Sequence, residues 1–246
     1  MSRPLEEILK DIDDRRFIAV PGDEKETVAF AVERWVTEAK RAINQYGIFN
    51  CALSGGSTPK KIYQALLKHK KELDFSKVRL YFSDERCVPL NDPESNFHMA
   101  WNAGFKELVT RDQIFPVYDT GDPKEDAKRY NEKVDGVVFD LIMLGMGDDG
   151  HTASLFPKTH ALQAKGEDVV ANFLPEKEVW RITFTFEAIN NGRHINFYVM
   201  GKGKSETIKK IFLGPYDPTT FPSQAVGTPS NKALWILDQE AASLLQ

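Results

Sequence analysis

The chain has 246 residues, of which 41% are hydrophobic and 28% are charged, and its formal net charge is −4. This length allows one large domain or two small ones with a substantial core, and the composition is typical of a globular protein. The acidic balance argues against general nucleic-acid binding, which needs a basic surface. An anionic ligand would therefore need a local concentration of Lys, Arg or backbone N–H groups.

The two cysteines, Cys51 and Cys87, predict neither a disulfide framework nor a zinc site. We expect both thiols to be reduced and half-buried. Residues 1–16 carry too many charges for a signal peptide, and no apolar run approaches membrane-spanning length. A cytoplasmic location without membrane contact is the resulting expectation.

Hydrophobic periodicity predicts an alternation of strands and helices. In chain order, the predicted elements are a strand at 17–20, a helix at 24–46 ended by Gly47, a strand at 48–54, a helix after Pro59, a strand at 78–84, a helix at 95–108, a charged helix near 123–134, strands at 137–145, 179–186 and 194–201, a helix at 203–213 and a strand at 233–238. The run at 137–145 lacks polar alternation, as a buried parallel strand does. We predict one α/β domain over residues 1–246, with a mostly parallel sheet and helices on both faces.

In such sheets, ligands bind where a strand ends and the chain turns toward a helix. Four segments occupy this position, namely 54–59, 83–96, 145–157 and 201–205. We therefore expect the functional residues in these segments.

The segment SGGSTP at 54–59 combines two glycines with three hydroxyl side chains. The glycines allow backbone N–H groups to approach a ligand, and the N-terminus of the following helix favours an anion. Thr58 as N-cap with Pro59 in the first turn fits the rules for a helix start, so a plain capped turn is the alternative interpretation. We predict a phosphate-binding loop formed by Ser54, Gly55, Gly56, Ser57 and Thr58.

The triplet Asp84, Glu85 and Arg86 stands at the end of the predicted strand at 78–84. Such a triplet is usually a solvated loop that neutralises its own charge. At a strand end, Asp84 would instead orient a polar partner, and Arg86 would hold an anionic or carbonyl oxygen. Both interpretations stay open.

The segment GMGDDGH at 145–151 matches the glycine pattern of a dinucleotide-binding turn. Asp148 and Asp149 would repel a pyrophosphate, and Pro157 leaves little room for the long helix that should follow. We therefore expect no NAD. A carboxylate beside an imidazole fixes its tautomer and raises its basicity, so Asp149 and His151 are predicted to form a catalytic pair. A histidine that only caps a helix or satisfies a loop is the alternative.

Two basic residues complete the candidate site. Lys204 follows the strand at 194–201 and is either a solvated lysine or a point charge that holds a phosphate. Arg181 lies in the apolar strand at 179–186 and either pairs with a carboxylate or binds a ligand.

These segments together resemble the 6-phosphogluconolactonases, within the larger group that includes the glucosamine-6-phosphate deaminases. The matching motifs occur in the family's order and are SGGSTP, SDERCVP with SN at 95–96, GMGDDGHTASLFP, RITFTFEAIN, VMGKGK and ALWILD. The resemblance implies a Rossmann-like domain without metal or other cofactor that hydrolyses 6-phosphoglucono-δ-lactone, the second step of the oxidative pentose phosphate pathway. It implies a small sugar-phosphate lactone as the partner, with neither nucleic acid nor membrane, and a monomer or small homo-oligomer.

Under this resemblance, His151 is expected to act as general base and Asp149 to orient it, with Asp84 as the alternative base. The phosphate would bind the 54–58 loop, with Lys204 and Arg181 supplying charge, and Arg86 would hold the sugar ring or the developing oxyanion. The family's usual LPAS motif is replaced by FPSQ at 221–224, which leaves the role of the 214–224 loop open.

Two alternatives compete with the lactonase. Deaminase-like relatives typically carry an acidic residue five positions after the histidine, where this chain has Phe156. A sugar-phosphate isomerase or deaminase is therefore disfavoured. A non-catalytic sugar-phosphate sensor would not need His151 and usually carries an additional binding segment, which this sequence does not display.

Overall fold

The computed structural model describes residues 8–245, and local sequence rules set many of its element boundaries. Helix α1 (Glu24–Tyr46) begins with a capping box, in which the Asp23 carboxylate accepts from the Glu26 N–H and the Glu26 carboxylate accepts from the Asp23 N–H. It ends at Gly47, whose φ of 81° suits glycine. The predicted bounds of this helix are therefore confirmed.

Further along the described chain, the α-helices are α2 (Ser57–Leu66), α3 (Asn96–Ala103), α4 (Pro123–Val134), α5 (Phe186–Asn190) and α6 (Ser205–Leu213). Helix α3 ends earlier than the predicted 95–108, because Gly104 has a φ of 155° and the chain continues as a 3₁₀ turn over Phe105–Glu107. No helix within residues 8–245 combines the length and apolar character that a membrane crossing requires.

The larger sheet has seven strands in the order β1-β2-β10-β9-β6-β3-β4, and all neighbours are parallel except β1 and β2. Its strands are β1 (Leu9–Asp11), β2 (Arg16–Ala19), β3 (Phe49–Leu53), β4 (Val78–Phe82), β6 (Leu141–Leu144), β9 (Ile195–Val199) and β10 (Ala233–Leu237). The mostly parallel α/β fold is confirmed, and all four residues of β6 are buried, as its unbroken apolar run predicts.

A second, antiparallel sheet has the order β5-β8-β7. It is formed by β5 (Asp84–Arg86), β8 (Val179–Phe184) and β7 (Val169–Leu174). The predicted strand at 179–186 therefore lies outside the parallel sheet, and β7 was not predicted. The two sheets join at Ser83, whose carbonyl accepts a hydrogen bond from Phe184 N–H over 2.8 Å.

The core of the larger sheet contains two fully buried tryptophans. The ring of Trp235 stacks on Phe197 with centroids 3.8 Å apart, and Trp35 meets Phe49 edge-on at 5.0 Å. This packing fixes β9 and β10 beside each other and α1 against β3. Because β9, β6, β3 and β4 are neighbours, their carboxyl ends lie side by side at one edge of the sheet.

Candidate active site

A cavity of about 340 Å³ opens at this carboxyl edge, and all four predicted segments contribute to its lining. Ten of the predicted site residues line it, namely Ser54, Gly55, Gly56, Ser57, Thr58, Asp84, Arg86, His151, Arg181 and Lys204. Asp149 is not part of the lining and instead contacts His151. The structure thus brings together all the residues that the sequence singled out.

The loop at 54–58 starts helix α2 differently from the prediction. The helix begins at Ser57 with Gly56 as N-cap, so the assignment of Thr58 as N-cap was wrong. Gly56 has a φ of 104°, which glycine adopts without strain, and this conformation starts the helix two residues earlier. A glycine cap has no side-chain oxygen for the first N–H groups of α2, so these donors lie at the cavity without a side-chain cap.

Asp84 is held by residues to which the sequence analysis gave no role. Its carboxylate accepts hydrogen bonds from Ser154 Oγ at 2.7 Å and from Asn96 Nδ2 at 3.3 Å. A Cβ on Gly55 would lie 2.0 Å from Asn96 Oδ1, so only glycine allows this approach. Both residues lie in motifs that the sequence shares with the family, Asn96 in SN at 95–96 and Ser154 in GMGDDGHTASLFP, but only the fold shows that both contact Asp84.

Glu85, the middle residue of the charged triplet, is fully buried beneath the cavity. Its carboxylate accepts from Ser95 Oγ and from the backbone N–H groups of Arg86, Asn96 and Phe97. Burial raises the pKa of Glu85 to about 7, although these backbone donors act in the opposite direction. Glu85 therefore stabilises the start of α3, and of the two interpretations left open for the triplet, the solvated loop does not hold for Glu85.

Arg86 and Arg181 face each other across the antiparallel pair β5 and β8. Their guanidinium groups donate to the backbone carbonyls of Glu94 (2.6 Å) and Trp180 (3.2 Å), respectively. Within residues 8–245, neither has a carboxylate within 4.0 Å. Burial, followed by the charge of Arg86, lowers the pKa of Arg181, while Asp84 acts in the opposite direction. Two facing cations without an ion pair create a local preference for an anion.

His151 forms the predicted pair with Asp149. The distance from His151 Nδ1 to Asp149 Oδ1 is 2.5 Å, and the same oxygen accepts from the His151 backbone N–H. Partial burial would raise the pKa of Asp149, but the hydrogen bond and charge of His151 outweigh it and lower the pKa. A Cβ on Gly147 would lie 2.1 Å from the imidazole, so this glycine makes room for the ring. With Nδ1 facing Asp149, Nε2 is the ring nitrogen left for a ligand.

Phe156 stacks on the imidazole of His151, with ring centroids 3.9 Å apart and planes inclined by 22°. Lys204 lines the cavity but donates to Asp148 Oδ1 at 2.6 Å and to the Met146 carbonyl at 3.0 Å, so it also anchors the 145–151 turn. The side chain of Asp148 is 84% exposed, so solvent screens this ion pair. The Lys204 ammonium can therefore also donate to an anion in the cavity.

The 214–224 loop does not line the cavity. It packs behind the histidine turn, where Ser223 N–H donates to the Gly150 carbonyl and Gln224 Nε2 donates to the carbonyls of Ile211 and Pro215. The replacement of the family's LPAS motif by FPSQ therefore affects the support of the site and not its lining.

Within the described residues, no group of three His, Cys, Asp or Glu side chains is arranged to hold a metal ion.

A sequence profile for the family described as "Glucosamine-6-phosphate isomerases/6-phosphogluconolactonase" matches residues 22–235. The chain belongs to this family. A 6-phosphogluconolactonase of Chlamydia trachomatis is 36% identical over 237 residues, which cover 95% of this chain and 92% of that protein. The 6-phosphogluconolactonase of Trypanosoma cruzi has a solved structure that aligns with a TM-score of 0.81 and 28% identity, over 97% of this chain and 99% of that one.

Within this family, the overall fold does not separate the two chemistries. The structure of a monomeric glucosamine-6-phosphate deaminase aligns with a TM-score of 0.78 over 92% of this chain and 99% of that one, at 22% identity, which is a likeness of fold alone. Three chlamydial 6-phosphogluconolactonases are 35% or 36% identical to this chain over 87–95% of its length, and the chain is an enzyme of the 6-phosphogluconolactonase group.

Proposed function

We propose that this enzyme hydrolyses 6-phospho-D-glucono-1,5-lactone to 6-phospho-D-gluconate, with water activated by His151 as general base. The observation that carries the proposal is the contact between His151 and Asp149, 2.5 Å apart, at the wall of a cavity that is also lined by Arg86 and Arg181, neither of which has a carboxylate partner in the part of the chain that the structure describes. The names of the relatives support the substrate.

In the proposed mechanism, Nε2 of His151 accepts a proton from a water that attacks the lactone carbonyl. Asp149 holds the imidazole through Nδ1 and stabilises the imidazolium that forms. The tetrahedral intermediate then collapses, the ring C–O bond breaks, and the imidazolium returns its proton to the departing ring oxygen. No covalent intermediate and no cofactor take part.

We further propose that the substrate phosphate binds between the 54–58 loop and the cations Arg181 and Lys204. Arg86 would hold the sugar ring or the oxyanion, because its planar fork of donors matches either oxygen. Asp84 accepts two hydrogen bonds from neighbouring side chains, which favours a role in orienting polar groups over the alternative role of base.

Phe156 is the observation that disfavours the isomerase or deaminase alternative. Its ring lies against His151, where it cannot transfer a proton. A non-catalytic sensor would not need a general base, so the contact between Asp149 and His151 disfavours the sensor alternative. A place in the oxidative pentose phosphate pathway follows if the lactone is the physiological substrate.

Three further expectations accompany the proposal. The whole of 1–246 would form one domain, as a monomer or small homo-oligomer, in a cytoplasmic compartment. Limited proteolysis and light scattering test the first two. The free thiols of Cys51, which is buried, and Cys87, which is partly buried, agree with a reducing compartment.

The test of the proposal generates 6-phosphogluconolactone in situ and follows its disappearance above the spontaneous rate. A positioned base is typically worth about 10²–10⁴ in rate, so His151→Ala should lose roughly that factor in kcat. His69→Ala is the matched control, because His69 pairs with Glu72 on the surface and is not part of the cavity lining. No acceleration by the wild-type enzyme would refute the lactonase, and ammonia release from glucosamine 6-phosphate would then be measured.

A further inference from the structure

The turn between β7 and β8 brings a lysine to the cavity that belongs to none of the four predicted segments. Lys177 lines the cavity, and its backbone N–H donates to the Leu174 carbonyl over 3.1 Å. The next residue, Glu178, has a φ of 51°, so the turn is tight. The backbone therefore fixes where the long side chain of Lys177 begins.

The ammonium end of that side chain lies over the aromatic ring of Phe156. The Lys177 ammonium lies 4.8 Å from the centroid of the Phe156 ring, and this ring in turn stacks on His151. A phenylalanine face attracts a cation but satisfies none of its N–H donors. Phe156 thus connects the cation of the turn with the proposed general base.

The ammonium of Lys177 has no anionic partner within the described residues. No carboxylate lies within 4.0 Å of it, even though Glu176 and Glu178 flank it in sequence. At a solvent-exposed site a cation–π contact is weak, and an ammonium so placed can exchange it for an anion. Lys177 is in this respect like Arg86 and Arg181 and unlike Lys204, which is paired with Asp148.

We propose that Lys177 is a further substrate-binding residue, which favours phosphorylated over neutral lactones and is positioned over the cavity by Phe156. This inference rests on the proposed lactonase function. The substrate phosphate carries close to two negative charges at neutral pH, and a cation at the cavity acts on it over roughly the Debye length of about 8 Å. Such attraction stabilises the bound substrate and the bound transition state equally. It therefore lowers KM and leaves kcat unchanged.

The test compares Lys177→Ala with the wild-type enzyme on 6-phosphogluconolactone and on unphosphorylated D-glucono-1,5-lactone. Loss of one exposed charge should raise KM for the phosphorylated lactone about two- to fivefold, with kcat unchanged. Activity on the neutral lactone should not change. Lys177→Arg should restore KM, and high salt should shrink the difference between Lys177→Ala and wild type.

Lys165→Ala is the matched control, because it removes the same charge from a lysine outside the cavity lining. A KM for Lys177→Ala that equals that of Lys165→Ala would overturn the inference while leaving the lactonase intact. A fall in kcat at unchanged KM would also overturn it. An inactive wild-type enzyme would instead refute the proposed function itself, so the two failures are distinguishable.

The role of Phe156 is tested by a double-mutant cycle that combines Phe156→Leu with Lys177→Ala. Phe156→Leu keeps an apolar side chain but removes the aromatic face. In that background, Lys177→Ala should raise KM by a smaller factor than in the wild type, because the ammonium is no longer held over the cavity. Equal factors in the two backgrounds would show that Phe156 does not position Lys177.

Discussion

The carboxyl and amino ends of the parallel sheet both carry arginines, a histidine and buried carboxylates, but they pair these groups differently. At the amino end, a cavity of about 470 Å³ is lined by Glu38, Asp140, Arg193 and His194 among others. There Arg193 lies 2.6 Å from Asp140, and His194 lies 3.0 Å from Glu38. At the carboxyl end, Arg86 and Arg181 face each other and have no such partner within the described chain.

This difference marks the amino-end group as a structural cluster and supports the proposal that the carboxyl-end cavity binds an anionic ligand. In the amino-end cavity, buried carboxylates already neutralise the neighbouring cations. Such pairs hold α1 and the starts of β6 and β9 together. The cations of the carboxyl end repel one another, which costs stability, and the proposed binding of an anion would relieve this repulsion.

Within this comparison, the largest expected effect on kcat/KM follows from removing a cation at the carboxyl end. Arg181→Met keeps an unbranched apolar stem and removes the charged guanidinium group. The loss of one charge-assisted hydrogen bond should lower kcat/KM about 10- to 150-fold. Because repulsion from Arg86 disappears as well, the free energy of unfolding of the ligand-free enzyme should stay the same or rise. Steady-state kinetics and urea unfolding measure the two effects. A clear loss of stability would mean that the arginine pair is structural.

The matching change at the amino end should have the opposite pattern. Arg193→Met leaves Asp140 buried without its ion-pair partner, which should lower the free energy of unfolding by about 3 kcal/mol. The kcat/KM of the folded enzyme should not change. A drop in kcat/KM at full folding would show that the amino-end cavity also contributes to function.

A smaller effect, on the pH dependence of stability, concerns Glu85. Its carboxylate lies near the carboxyl edge of the sheet and accepts hydrogen bonds from four donors. Its pKa of about 7 in the folded protein exceeds its ordinary value near 4.5, so the folded state binds the extra proton between these pH values. Stability from this group is therefore present below pH about 4.5 and is lost as pH rises through about 7.

Glu85→Gln removes this titration. The unfolding free energy of the wild type relative to Glu85→Gln should fall by roughly 2 kcal/mol between pH 5 and pH 8, as measured by urea unfolding. A difference between the two proteins that is constant with pH would show that the backbone donors keep Glu85 ionised throughout.

The sequence by itself determined the class of fold, most element positions and the four strand ends that form the cavity. These features depend on local signals, such as the capping box at Asp23, the glycine at 47 and the apolar run of β6. The pair of Asp149 and His151 was also predictable, because one glycine separates its members and short-range geometry brings them together.

Only the tertiary structure decided which distant residues meet. The facing positions of Arg86 and Arg181 depend on the register between β5 and β8, and the sequence pattern wrongly predicted β8 as part of the parallel sheet. The same antiparallel sheet brings Lys177 over Phe156. Strand pairing between separate segments is set by packing across the whole domain, so no local pattern reveals it.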